Sequence, residues 1–441
     1  MTGPSESPHR ESPHRESPRR DPGAFADRRG LIAWCFYDWA NSSYPTVIVT
    51  FVFAAYFTTA HSIDTETGTA HWGNALALSG LAVAFLAPIL GALADQGGRR
   101  KPWIAGFTAL AVVSAAGLWW AKPDPAFAIL VLVLVAIGNA AFEFGQVFYN
   151  AMLPDIAPRA RVGRVSGWAW SLGYAGGLVC LALALVLFVQ DDLALVPLDR
   201  EAAEHVRITG PFVALWLAVF ALPLFIFTPD RARPVQIQAS GLAASLRKLW
   251  GTLRALPRQG SVGRFLLARM LYTDGLNTLF AFGGVYAAGT FGMGFQDILI
   301  FGILLNIAAG LGAFGFSWLD DLMGAKRTIV VSLIGLIGAG AAILMVETQF
   351  AFTVLGCVIG LFIGPAQSAS RSMMARLAPP EARGELFGLY ALSGKATAFL
   401  GPAIVGWTTY LADSQRAGMA TILIFFLAGL ILLWPLRDPD A

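Results

Sequence analysis

Six charged side chains interrupt long apolar runs of the chain: Asp38, Glu143, Arg269, Asp274, Arg371 and Lys395. Each costs roughly 2.5–3.5 kcal/mol to insert at the centre of a membrane helix. Three are acids and three are bases, so the balance of signs points to pairing in a shared interior. Amides accompany them. Asp38 with Asn41, and Asp274 with Asn277, repeat D-x-x-N, which places both polar groups on one helical face. Glu143, Gln146 and Asn150 form a single stripe at i, i+3 and i+7, and Gln367 and Arg371 form another at i and i+4. Aligning Gly167 with Gly388 sets Gln146 against Gln367 and Asn150 against Arg371. Carboxylates, amines and amides facing one interior can hold a small polar solute. A carboxylate among them can take up a proton at one step and release it at another. Asp38, Asp274 and Lys395 are expected to serve flux: at least one of the two aspartates is the coupling or substrate-amine site, and Lys395 is its counter-charge or the partner of an anionic substrate group. Asp274 and Lys395 lie nearest mid-span. Arg269 lies close enough to a span end to snorkel.

A second constellation sits in the polar breaks. Gly91-Ala-Leu-Ala-Asp95-Gln-Gly-Gly98-Arg99-Arg100-Lys101 has an echo in Ser317-Trp-Leu-Asp-Asp321-Leu-Met-Gly324-Ala-Lys326-Arg327. Both read D-x-x-G followed by bases, and the second copy has Ser317 where the first has Gly91.

The elements that must position these groups are read from composition. Hydrophobic residues are 56% of 441 and charged residues only 13%, too few charges to cover a water-facing surface. Twelve helical spans are expected at about 31–58, 73–94, 103–121, 126–151, 165–189, 210–228, 263–289, 297–318, 328–346, 351–374, 386–410 and 417–436. Each is long enough for a hydrocarbon core of about 30 Å. Uniformly apolar runs of this length exclude barrel strands, which alternate. Of the 31 Lys and Arg, 24 fall in alternate breaks and the two ends, and four in the other breaks. That asymmetry places both termini in the cytoplasm of a cell (inner) membrane.

The expected organisation is a disordered tail at 1–28, a six-helix half at 29–228, a basic linker at 229–262, a second half at 263–436 and a short tail at 437–441. Leu242, Leu246, Leu249, Trp250 and Leu253 recur at helical spacing in the linker, beside Arg247, Lys248 and Arg254. This pattern suits an amphipathic helix on membrane lipid. The fold class is an all-α integral membrane protein, with twelve transmembrane helices in two pseudo-symmetric six-helix halves.

The break after span 2 resembles the signature loop of the major facilitator superfamily. Narrower wording comes from WCFYDWANSSYPTVIVTF (34–51), LPDIAPRARVGRVSGWAWSLGYAGG (153–177), DDLMGAKRTI (320–329) and QSASRSMMARLAPPEARGELFGLYALSGKATAFLGP (367–402). These strings resemble the branch containing the autophagy-related vacuolar amino-acid effluxers and their bacterial relatives. The resemblance covers about 28–436. It implies the major facilitator fold, alternating access and export of neutral amino acids. It also implies a conformational latch in which Asp95 and Arg99 act, with Gly91, Gly98 and Arg100 in the same turn and Asp321, Gly324, Lys326 and Arg327 in its echo.

Other chemistries find no residues. Cys35, Cys180 and Cys357 are scattered through apolar runs, and the five histidines form no metal-binding spacing, so neither metal nor cofactor is expected. Gly388 to Lys395 has five residues between its glycines and Ala396 after the lysine, which is not a P-loop. The chain is thus expected to be no enzyme and to bind no nucleic acid. It should act as a monomeric secondary transporter for a small-molecule substrate, with proton coupling left open. A membrane receptor that binds a ligand without flux is the alternative.

Overall fold

The computed structural model describes residues 25–190, 198–230, 250–251, 254 and 260–438. Among them there is no strand. α1 runs over Arg28–Ala60, α2 over Thr65–Gly97, α3 over Lys101–Gly117, α4 over Ala128–Ile156, α5 over Val162–Ala184 and α6 over Thr209–Phe227. α7 then runs over Gly260–Phe291, α8 over Phe295–Met323, α9 over Ala325–Ile343 and α10 over Gln349–Leu377. α11 (Arg383–Ser393), α12 (Leu400–Ala412) and α13 (Gln415–Leu433) complete the order.

Local chemistry sets several of these ends. Asp27 caps α1 by accepting the Gly30 N–H at 2.8 Å, and Asp64 caps α2 by accepting the Thr67 N–H at 2.6 Å. That second cap starts α2 eight residues before the expected 73. α1 is π-helical over Tyr44–Phe51. Pro45 at its start removes a backbone donor, a common cause of such a shift.

Among the described residues, ten helices are long and apolar enough to cross a membrane. The two remaining expected spans, the seventh and the eleventh, are the exceptions. α7 holds Arg264, Arg269 and Asp274 within one helix. The eleventh span, expected as one helix over 386–410, is instead two short helices joined by a turn at 394–399. Pro402 contributes to this. In a continuous helix it would leave the Ala398 carbonyl without its donor and press its ring on that carbonyl, so the helix restarts just before it. At 11 and 13 residues, neither piece crosses about 30 Å alone.

Packing repeats with a half-chain offset. α1 lies on α6 as α7 lies on α13, and α3 lies on α4 as α9 lies on α10. Across the halves, α2 meets α11 as α8 meets α5. Outward faces bear exposed Phe85, Leu215, Ile226, Ile424 and Ile431, an apolar belt suited to lipid. Lipid gives helices no hydrophobic reason to associate, so close approach falls to small residues. A Cβ on Gly91 would lie 2.1 Å from the Gly384 carbonyl oxygen, so α2 and α11 touch backbone to backbone. Most of the linker and residues 1–24 lie outside the described residues. Of the expected amphipathic helix, Trp250 and Arg254 are described, and the guanidinium stands 5.0 Å from the ring centroid.

Candidate functional site: a polar cavity above a closed basic end

A cavity of about 330 Å³ lies between the halves. Asp38 (α1), Glu143, Gln146 and Asn150 (α4), Asn277 (α7), Gln367 (α10) and Lys395 line it, so the polar stripes read from helical spacing do converge. Lys395, on the turn between α11 and α12, bonds Glu143 Oε1 at 2.8 Å. Both side chains stay partly open, at 31% and 21% exposed. This pair crosses the cavity and is reachable by solute.

Beneath it lies a second node. Arg371 is fully buried and donates to Asp38 Oδ2 at 2.9 Å, Asn150 Oδ1 at 3.2 Å, Ser166 Oγ at 2.9 Å and the Ser166 carbonyl at 2.6 Å. The rings of Trp34, Tyr149 and Trp170 surround it at 5.1, 5.7 and 5.4 Å. Gln146 donates to the other Asp38 oxygen at 3.2 Å. Nearly every donor of this buried guanidinium therefore has an acceptor, which is the condition for keeping a charge out of water.

Two matching clasps close the end that carries the basic breaks. Asp95 accepts the Gly384 and Glu385 N–H groups at 2.8 and 3.0 Å, at the start of α11. A carboxylate at a helix N-terminus satisfies free donors and opposes the positive end of the dipole. Arg100 lies 3.4 Å from Asp95 and 2.6 Å from Asp155, and Arg383 also bonds Asp155. In the echo, Asp321 accepts the Arg164 N–H at 3.1 Å at the start of α5, with Arg164 Nε 3.2 Å away. Its neighbour Asp320 bonds Ser372 and, at 2.5 Å, Arg376.

Several residues differ from expectation. Asp274 does not line the cavity and meets neither Lys395 nor Arg371: Lys395 is taken by Glu143 and Arg371 by Asp38. Asn41 is buried away from the cavity. Arg99 is exposed, and Arg100 makes the bridge in its place. Gly98, left-handed at φ 70°, turns the chain between Asp95 and the bases. Gly324 has φ 91° and Lys326 donates to the Trp434 carbonyl at 2.8 Å. Arg327 lines a groove beside Asp321 and Arg376. Arg269 does not snorkel; it donates to the Tyr390 carbonyl and to Ser393 Oγ.

Sequence reasoning missed Asp155, Ser166, Asp230, Asp320, Arg376 and Arg383. Asp230, just after α6, accepts the Arg100 and Lys101 N–H groups at 3.0 Å each. The Gly167–Gly388 alignment held part of this signal. It pairs Arg164 with Glu385, the residues whose N–H groups the two aspartates accept.

A two-half helical bundle with a polar cavity and clasps at matching helix ends defines a major facilitator transporter. Solved structures agree on the fold. The human organic anion transporter MFSD10 matches with a TM-score of 0.72 at 16% identity, over 92% of this chain and 99% of that one. The transporter FucP in its outward conformation matches with a TM-score of 0.71 at 13% identity, over 92% and 97%. The chain belongs to the family described as "Vacuole effluxer Atg22 like", which matches residues 73–439. An uncharacterized MFS-type transporter of Bacillus subtilis, YxiO, is 26% identical over 91% of this chain and 93% of its own length. Autophagy-related protein 22 of Coccidioides immitis is 24% identical over 78% and 67%. The chain spans about half the length of several other fungal relatives, 47% for that of Penicillium rubens.

Proposed function

We propose that this transporter moves a small zwitterion, a neutral amino acid by family resemblance, through the central cavity by alternating access. The observation that carries the reading is the Lys395–Glu143 pair. It offers a cation and an anion to the cavity, both partly open, and a zwitterion can replace each partner for the other. A cavity of about 330 Å³ is at the small end of ligand sites, which suits a small solute. Both termini and the 229–262 linker are placed on the cytoplasmic side of a cell membrane, on the split of Lys and Arg. A reporter fused after residue 200 should then report the outer side. A proton is the proposed coupling ion, and solute release on either side follows which end is clasped.

Thermal unfolding of the purified chain against neutral amino acids tests the substrate. A ligand at 100 times its Kd stabilises the native state by about 2.7 kcal/mol. Stabilisation is expected from the zwitterion and not from the matching amine or acid alone, and Lys395→Met should remove it. Counterflow in proteoliposomes separates transport from binding without flux. Equal stabilisation of wild type and Lys395→Met would overturn the site.

A further inference from the structure

One helix holds the break in the eleventh span. Arg269, Asp274 and Asn277 all lie on α7, and all reach the segment between Tyr390 and Gly401. Arg269 donates to the Tyr390 carbonyl at 2.5 Å and to Ser393 Oγ at 2.7 Å, where α11 ends and its last carbonyls lack helical partners. Asn277 donates to the Gly394 carbonyl at 3.4 Å. Asp274 faces the restart: its Oδ1 would stand 3.2 Å from a Cβ on Gly401, the second residue of α12. A cation thus meets the carboxyl end of one short helix, and a carboxylate meets the amino end of the next. Those are the signs that helix ends favour.

Asp274 is unlike the other intramembrane acids. It is 2% exposed, and among the described residues neither carboxylate oxygen meets a donor in strict hydrogen-bond geometry, the Gly401 backbone N–H being the group that faces it. Neighbouring bases are committed elsewhere: Arg269 on α7 to Tyr390 and Ser393, Lys395 on the turn to Glu143, and Arg371 on α10 to Asp38. Tyr272 on α7 shares a hydrogen bond with Ser370 of α10 at 2.6 Å. α11 contributes Tyr390, whose ring lies under Arg269, and Glu385 near its far end. α12 carries no charged residue, and α13 packs Phe425 and Phe426 against Gly275. The basic residue of α13, Arg416, binds the Val346 carbonyl at the opposite end. A metal ion would require several oxygen ligands. Among the described residues no three His, Cys, Asp or Glu side chains group together, so Asp274 has no companion ligands for one. A proton is the counter-charge that fits.

We propose that Asp274, outside the substrate cavity, carries the coupling proton, and that its charge sets the 394–399 turn and so the reach of Lys395 to Glu143. The ionised carboxylate attracts the amino end of α12 and draws Gly401 towards α7. Forming the O–H bond on its oxygen removes that attraction, and breaking it restores it. Lys395 lies on the same turn, so one protonation event repositions the cation that faces the solute. The purpose assigned here rests on the transport reading, but the test does not.

Infrared difference spectroscopy on the full chain in liposomes, stepped in pH, reads carboxylic-acid bands without any substrate. A pH-dependent acid band is expected in wild type, retained in Asp38→Asn and absent in Asp274→Asn. Spin labels flanking the turn should report a distance that changes with pH in wild type and not in Asp274→Asn. If Asp274→Asn does not fold, Asp274→Glu should keep the band and shift its midpoint. A band that survives Asp274→Asn, an unmoved midpoint in Asp274→Glu, or a response to sodium at fixed pH in place of protons overturns the proposal. None of these outcomes touches solute binding, so each leaves the transport reading standing. A chain with the band but no flux would overturn only that reading.

Discussion

Asp95→Asn tests whether the basic-end clasp is a switch or only a turn. The carboxylate accepts two α11 amides at 2.8 and 3.0 Å and lies 3.4 Å from Arg100. Asparagine keeps one acceptor oxygen, presents a donor in place of the other, and removes the charge. Losing a helix cap costs about 1 kcal/mol, and losing a charge from a partly buried helix end costs about 1 more. Arg100 keeps Asp155 at 2.6 Å, so it is not stranded and adds little. The form closed at the basic end therefore loses about 2 kcal/mol against the open form, in which Asp95 would be solvated. At 1.4 kcal/mol per factor of ten, the closed-to-open ratio falls about 30-fold. Pulsed electron resonance between labels at Gly97 and Leu322, both exposed on opposite halves at that end, reads the two populations. Arg99→Ala is the control. Arg99 is exposed and makes no ion pair among the described residues, so its distribution should match wild type. A folded Asp95→Asn with the wild-type distribution, or an Arg99→Ala shift as large, would refute the reasoning.

Three further outcomes are expected. Gly91→Ala puts a Cβ 2.1 Å from the Gly384 carbonyl oxygen and should depopulate the closed form more than Asp95→Asn does, in the same distance measurement; Gly106→Ala, with no atom within 4 Å, should not. Arg371→Met strands Asp38 at 5% exposure and should cost about 3–5 kcal/mol in unfolding free energy, most of it recovered by adding Asp38→Asn. No recovery would mean that stacking on Trp34, Tyr149 and Trp170, not the ion pair, dominates. Burial pushes His61, outside the spans and stacked on Phe57 at 5.6 Å, below its ordinary 6.5. The unfolded chain then binds the proton first, so stability is full above that value and falls as pH drops through it. His61→Phe should flatten the fall in Tm between about pH 7 and about pH 5, and an unchanged fall would remove His61 as its source.

The spans were legible because a lipid-crossing helix must be apolar for about 20 residues, a pattern that needs no tertiary knowledge. The polar stripes were legible for a related reason: helical spacing fixes which residues share a face. Partner choice was not. Glu143 and Asp274 are both acids within spans, and only the relative placement of α4, α7 and the 394–399 turn decides that Lys395 meets the first. Arg99 and Arg100 are adjacent, and the left-handed Gly98 decides which one turns towards Asp155. The break in the eleventh span was different, because one contributor to it stands in the sequence, although Pro88, Pro154, Pro223 and Pro365 lie inside unbroken helices. Pro402 forbids a helical bond to Ala398, yet the surrounding run is so apolar that composition alone reads straight through it.

The internal repeat also explains why the two halves do not do the same work. D-x-x-N recurs in spans 1 and 7, which suggests equal roles for Asp38 and Asp274. Asp38 of α1 is paired by Arg371 of α10, a contact from one half to the other. By pseudo-symmetry the partner of Asp274 of α7 belongs at the matching position of α4, and the alignment that sets Asn150 against Arg371 makes that residue an asparagine. It carries no charge, and its oxygen already accepts from Arg371 at 3.2 Å. One exchange of residue type between repeats therefore leaves the first aspartate in a fixed ion pair and the second without a cation. Two such pairs would brace both halves alike, with no carboxylate left to change charge. With one pair and one unneutralised acid, the chain has a rigid floor beneath the cavity and a separate titratable group beside the turn that carries Lys395.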